Sequence, residues 1–168
     1  MQIQEKHNII VESHPYYKDL NERLKQDFLC ADFFPKGQTF SVTGWHSSYE
    51  TSSETIDKII SWVITLIKQQ NNLEWIPRYT FFCSQSWFIE YGIGDVSGSH
   101  VHSPRDFSFV YYVRCPKGSS PLVFTTTGKK IKAEEGKVVI FPANVYHHVP
   151  KNNCDGRIVL AGNIEHHP

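Results

Sequence analysis

The chain has 168 residues, with 17 Lys and Arg against 17 Asp and Glu, and so carries no formal net charge at neutral pH. That balance gives no general attraction to polyanions, which excludes nucleic acid and acidic membrane surfaces as first-choice partners. With 40% hydrophobic, 14% aromatic and only 20% charged residues, the chain can bury a core, is too apolar for a disordered segment, and has the length of one domain.

The opening MQIQEKHN lacks both a basic n-region and an apolar run, and no later apolar stretch reaches membrane length. Neither a signal peptide nor a membrane span is expected, and the chain is placed in the cytoplasm. Residues 16–29 put Leu20, Leu24 and Phe28 four apart among charges, the pattern of a short amphipathic helix. Phe33 to Glu50 has no sustained period and reads as a loop or short strand. A second helix follows: Thr51 and Glu54 form a capping box, after which Ile56, Ile59, Ile60, Val63, Leu66 and Ile67 recur at helical spacing, with an end near Asn71 and Asn72.

From Arg78 onward the texture is that of strands. Short β-branched and aromatic runs, YTFFCSQSWFIEYG, DFSFVYYVRC, SPLVFTTT, KKIKA, KVVIFP and RIVLAGNI, suggest roughly six to eight strands at sandwich or barrel spacing. Turns are expected at Gly118, Gly128, Gly136 and Gly156. The fold class expected is mainly β with flanking helices, a jelly roll in a single domain over 1–168, with 1–77 as helical or irregular support and 78–164 as the core.

Cys30, Cys83, Cys115 and Cys154 are scattered with no C-x-x-C pair, which argues against a cysteine zinc site or a disulfide scaffold and for reduced thiols. The histidines are more informative. In extended chain, residues i and i+2 share a face about 6.5 to 7 Å apart, so His100 and His102 can converge on one ion. His147, following the run KVVIFP, is the third candidate ligand. Three such ligands bound facially leave about three positions open on a six-coordinate metal. His148 should face away from its neighbour, His166 and His167 read as a fraying tail in solvent, and His7, His14 and His46 read as structural.

Arg157 opens RIVLAGNI, where alternation puts it on one face with Val159, Ala161 and Asn163, and puts Ile158, Leu160 and Ile164 on the other. A guanidinium beside small residues has room for an anion and the fork to hold a carboxylate. One hydroxyl of the Tyr111-Tyr112 pair could join it; otherwise both are core aromatics.

These residues resemble the iron(II)- and 2-oxoglutarate-dependent oxygenases. The likeness spans about half the chain, from Trp87 to Ile164: H-x-H, SFVYYV, SPLVF, EEGKVVIFPANVYHHVPKN and RIVLAGNI. It implies a double-stranded β-helix in which His100, His102 and His147 hold Fe(II). Arg157 would bind the distal carboxylate of 2-oxoglutarate, assisted by Tyr112. The implied reaction is hydroxylation of an unidentified substrate with release of succinate and CO2. The implied partners are therefore small molecules, a cosubstrate and a substrate, with a homodimer left open.

One departure matters. His102 stands where the family carries Asp or Glu, leaving the site one negative charge short; Asp106 could restore a carboxylate if the chain turns back. The same departure brings the sequence towards the cupins, with Gly94, His100, His102 and Asp106 in a first motif and Gly136, Pro142 and His147 in a second. That resemblance implies a metalloenzyme with no need of 2-oxoglutarate. A non-catalytic jelly-roll binding module is the third alternative.

Overall fold

A computed structural model describes residues 8–39, 41–70 and 79–167. His7 and the expected helix end at Asn71 and Asn72 lie outside the described residues. The elements run β1 (Ile10–Ser13), α1 (Tyr17–Cys30), β2 (Trp45–His46), α2 (Glu54–Lys68), β3 (Thr80–Tyr91), β4 (Ser97–His100), β5 (Phe107–Arg114), β6 (Leu122–Phe124), β7 (Lys130–Ile131), β8 (Lys137–Pro142), β9 (His147–Val149) and β10 (Arg157–His167). They form a six-stranded sheet of order β1-β8-β5-β10-β3-β2 facing a four-stranded sheet of order β4-β9-β6-β7. Every strand pair in both sheets is antiparallel. This is the jelly roll expected from the strand-rich second half.

Period-two alternation divides the core into two layers. Ile158, Leu160 and Ile164 of β10, Val138 and Ile140 of β8, and Phe107, Phe109 and Tyr111 of β5 pack under the helices, against Ile56, Ile59, Val63 and Ile67 of α2 and Leu24 of α1. The opposite residues, Val159 and Ala161, Val139 and Phe141, and Tyr112, line the space between the sheets. Strands β5, β8 and β10 each therefore separate a structural face from a face that can carry chemistry.

The front of the chain is tied to this frame by buried polar groups. Asn21 of α1 donates to the carbonyls of Tyr112 and Val113 (3.3 and 2.8 Å) and accepts from the Tyr111 hydroxyl at 2.7 Å. The cap of α2 is Ser53, not Thr51: its Oγ accepts from the Ile56 amide and donates to Asp27 of α1 at 2.6 Å. The Thr51 hydroxyl is engaged with Ser47 and Ser48 instead, so it is not free to cap.

Between the helices, residues 33–39 and 41–51 form a strap beside the mouth of the barrel. Phe33 bridges Ser47, Val42 bridges Ser97 at the edge of β4, and Trp45–His46 pairs with β3. Gly44 permits that approach, since a Cβ there would collide with the Glu90 carbonyl. Asp95 anchors the strap by accepting from Thr43 and pairing with Lys36 at 3.0 Å. The turn glycines 118, 128, 136 and 156 all have positive φ, as turn chemistry requires. His166 and His167 do not fray: both belong to β10, where His166 is held by Asp106 and His167 stacks on Phe82.

Candidate metal centre

His100 and His147 are direct partners across the β4–β9 pair, and His102 follows two residues beyond the end of β4. The His102 amide donates to the Ala143 carbonyl at 2.7 Å, and the Ala143 amide donates to that of Asp106 at 3.0 Å. These bonds turn the His102–Asp106 segment back over the loop before β9. The result is one ligand nitrogen from each of His100, His102 and His147, all within 4.8 Å of one another.

Hydrogen bonds select the nitrogens. Nδ1 of His100 lies 2.7 Å from the Gly98 carbonyl, and Nδ1 of His147 lies 2.9 Å from that of Val145. A carbonyl only accepts, so each Nδ1 is assigned the proton and each Nε2 keeps its lone pair. Such outer bonds fix the tautomer and orientation of a ligating imidazole. Burial also disfavours the imidazolium: it lowers the pKa of His100, takes His102 to about 4, and takes His147 to about 3, with the neighbouring histidines contributing. Three neutral imidazoles whose ring nitrogens converge are a donor set suited to a divalent transition metal. His148 is turned to the other face, where its ring meets Thr125 Oγ1 at 2.9 Å.

Asp106 does not complete this group. Its carboxylate accepts from the amide and ring of His166, at 2.9 and 2.7 Å. Among the described residues, the cluster of potential ligands consists of the three histidines alone.

The histidines open onto a cavity of about 490 Å³ between the sheets. Its floor is a ladder of paired residues from β3 and β10: Tyr91 opposite Arg157, Ile89 opposite Val159, Trp87 opposite Ala161, and Gln85 opposite Asn163. Arg157 lies at one end. It is completely buried on an interior strand, its Nε donates to the Ser120 carbonyl at 3.1 Å, and its two terminal nitrogens have no hydrogen-bond partner. Its guanidinium lies against the rings of Tyr91 (4.6 Å) and Tyr112 (5.4 Å). The Tyr112 hydroxyl is likewise buried and unpaired. Burial pushes its pKa up to about 12 despite the nearby guanidinium, and Tyr91 moves in the same direction for the same reason. Both therefore remain O–H donors. A buried guanidinium with both terminal nitrogens unpaired is costly, and a carboxylate is the partner that would satisfy that free fork and a phenol together.

The structure thus brings together His100, His102, His147, Arg157 and Tyr112, and adds residues not selected from the sequence. Tyr91 is one; alternation along β3 and the pairing of β3 with β10 would have revealed it. His46 is another: although it reads as structural in sequence, it lines the cavity and stacks on Trp87 at 5.7 Å and 12°. His14 is structural as expected, accepting from the Tyr16 amide and meeting the edge of Trp62.

No protein-family model matches the chain, and no curated protein matches its sequence. Among solved structures it is similar to the viral collagen prolyl hydroxylase of Paramecium Bursaria Chlorella virus-1 in complex with 2-oxoglutarate (TM-score 0.73, 13% identity, 97% of this chain and 98% of that one). It is also similar to a Pseudomonas putida prolyl-4-hydroxylase (TM-score 0.73, 17% identity, 97% and 95%). A third match is HygX from Streptomyces hygroscopicus with nickel and 2-oxoglutarate bound (TM-score 0.68, 8% identity, 95% and 83%). At these identities the likeness is one of architecture: the chain has, over nearly its whole length, the jelly-roll fold of these oxygenase structures.

Proposed function

We propose that this protein is an Fe(II)- and 2-oxoglutarate-dependent oxygenase that hydroxylates an as yet unidentified substrate. The observation that carries the reading is the presence, on one cavity, of three convergent imidazoles and a buried guanidinium with both terminal nitrogens unpaired. Iron would be held by His100, His102 and His147, and the distal carboxylate of 2-oxoglutarate by Arg157 with Tyr112. The whole of 1–168 would serve as one domain, residues 78–164 carrying the site and 1–77 supporting it. No helix among the described residues is long and apolar enough to cross a membrane. The four free cysteines fit a reducing cytoplasm.

In the balanced reaction, R–H, O2 and 2-oxoglutarate give R–OH, succinate and CO2, with one oxygen atom entering the alcohol and the other the new carboxylate of succinate. Bound iron would supply oxygen activation and a template for the cosubstrate. The remaining work belongs to the chain. Arg157 and the phenols fix the far end of the cosubstrate, so that its keto acid end faces the histidines. Tyr91 and Tyr112 flank that carboxylate and exclude water, which strengthens the ion pair. The carbonyls of Gly98 and Val145 hold two imidazoles in the ligating tautomer.

Succinate formation from 2-oxoglutarate, measured with added Fe(II) in air, tests the reading; it should vanish on His100→Ala. Stoichiometric iron without 2-oxoglutarate binding would refute it. The neutral donor set favours one second reading, a cupin-type metalloenzyme independent of 2-oxoglutarate, which predicts that Arg157→Met leaves turnover of its substrate intact.

A further inference from the structure

The strap places in the cavity an imidazole that the reaction above does not use. His46 is 4% exposed, and its Nδ1 lies 2.6 Å from the Ser47 carbonyl. Nδ1 is therefore assigned the proton, and Nε2 keeps a basic lone pair. No hydrogen bond reaches Nε2 from any described residue. The ring stacks on Trp87 and meets Tyr49 at 4.9 Å, while Trp87 in turn lies 5.9 Å from the His102 ring. Anything resting on Trp87 is thus adjacent to the metal ligands. Trp87 Nε1 is itself buried and unpaired. Two stacked rings in the cavity wall therefore carry an acceptor and a donor without protein partners among the described residues; that of Trp87 is cut off from solvent, a deficit that folding alone leaves uncompensated.

Charge narrows what can bind there. Among the described residues lining the cavity none is Asp or Glu, whereas Arg105 and Arg157 both line it. Arg105 is held by Glu165 at 2.6 Å. A cationic substrate would meet no counter-charge, and taking it out of water would go uncompensated.

We propose that His46 is a substrate-binding residue: its Nε2 accepts a hydrogen bond from a hydroxyl or N–H group of an uncharged or anionic substrate that rests on Trp87 beside Tyr49. This assignment names the substrate class of the oxygenase site and rests on that reading for the reaction, though not for the binding.

Three aromatic probes separate the elements of the proposal: phenol has a ring and a donor, anisole the same ring with the donor methylated, and benzylamine a ring with a cation. They are titrated by ligand-observed NMR into the full chain loaded with Zn(II) and 2-oxoglutarate. Phenol should bind about ten-fold more tightly than anisole, the effect of one hydrogen bond, and benzylamine should bind most weakly. His46→Phe should abolish the preference for phenol, whereas His46→Gln, which keeps an acceptor, should retain it. In the unmutated chain the 15N resonance of His46 Nε2 should move with phenol and stay fixed with anisole, a readout independent of any folding defect in a variant. Equal binding of phenol and anisole, a preference that survives His46→Phe, or tightest binding of benzylamine would overturn the proposal. Calorimetry with 2-oxoglutarate on the same samples reads the parent assignment separately. Absent cosubstrate binding with the phenol preference intact would refute the oxygenase and support His46.

Discussion

The Nε2 atoms of His102 and His147 lie 3.3 Å apart, although the residues are 45 positions apart in the chain. Since His147 carries its proton on Nδ1, His102 donates its own Nε2–H into this contact in the metal-free protein. A divalent ion would require the other tautomer of His102, with that proton moved to Nδ1, and would then collect both Nε2 lone pairs. All three rings are already neutral near pH 7, so metal binding should release almost no protons there and should begin to compete with protonation only as pH falls towards 4. One equivalent of Fe(II), or of Zn(II) as its stand-in, should bind, and His100→Ala, His102→Ala and His147→Ala should each weaken it by at least about 100-fold. His148→Ala should leave it unchanged. Competition with a chromophoric chelator measures both quantities, and equal losses from His148→Ala and His147→Ala would contradict the assignment.

The same three imidazoles predict how the metal-free protein responds to acid. Burial holds all three below their usual pKa, His102 at about 4 and His147 at about 3, whereas in the unfolded chain they return to about 6.5. Between these values the unfolded state binds more protons than the folded one, so stability rises with pH. The contribution is complete above about pH 6.5 and is lost as pH falls towards 4. Urea midpoints of the metal-free protein should drop across that window, with a shallower drop in His147→Phe. A midpoint independent of pH from 7 to 5 would show that the rings are hydrated rather than buried.

The fold and the clustering of three histidines were legible because each rests on a short-range rule. H-x-H places two rings on one face of any extended segment, and alternation along β10 separated Arg157, Val159 and Ala161 from Ile158 and Leu160 without reference to a partner strand. What escaped depends on contacts distant in sequence. Thr51 matches the capping pattern as well as Ser53 does, but its hydroxyl is engaged by Ser47, which only the folded strap brings near. His166 looked like a tail residue because nothing local shows Asp106 waiting 60 positions earlier. β1 is four residues long, too short to show a period, and exists because β8 offers it an edge. His46 and Tyr91 face the cavity for the same kind of reason: β2 and β10 flank β3, and that strand order is not written in either segment.

Arg157→Met separates the two halves of the site. The change removes a buried charge while keeping an unbranched, apolar stem between Tyr91 and Tyr112, so the fold and Zn(II) affinity should be retained. Affinity for 2-oxoglutarate should fall by about 100-fold or more, the range for loss of one member of a buried ion pair. Arg157→Lys should not restore it, because an ammonium cannot reproduce the two-pronged contact. Calorimetric titration of 2-oxoglutarate into the Zn(II)-loaded protein gives the comparison, and undiminished affinity in Arg157→Met would remove the cosubstrate from this pocket.

Tyr112→Phe should split stability from affinity. Its hydroxyl is buried and unpaired in the free protein, so deleting it relieves an uncompensated polar group and should leave the urea midpoint equal or higher. If that hydroxyl donates to the cosubstrate carboxylate, affinity for 2-oxoglutarate should fall by roughly ten-fold, as expected for a hydrogen bond to a charged group. A variant both less stable and unimpaired in binding would assign the hydroxyl to the fold instead.

Asn21 offers the converse test, a residue whose work is structural although it lies behind the site. It is 2% exposed and its amide is fully engaged by the Tyr111 hydroxyl and the carbonyls of Tyr112 and Val113. Asn21→Ala would strand the Tyr111 hydroxyl and take from the Val113 carbonyl its side-chain donor in the layer between α1 and β5, while the Tyr112 carbonyl keeps the Gly136 amide, at a cost of about 2 to 4 kcal/mol. Tyr111→Phe should cost about 1 kcal/mol, and the double variant less than the sum of the two, since the stranded hydroxyl is then absent. Tyr112 points its side chain to the opposite face of β5 from Tyr111, so the folded fraction of Asn21→Ala should bind 2-oxoglutarate within about three-fold of the unmutated chain, well below the ten-fold that 1.4 kcal/mol represents. Urea denaturation and calorimetry on the same preparation supply the two numbers. A loss of affinity that tracks the loss of stability would mean that α1 helps shape the pocket rather than merely supporting the strand behind it.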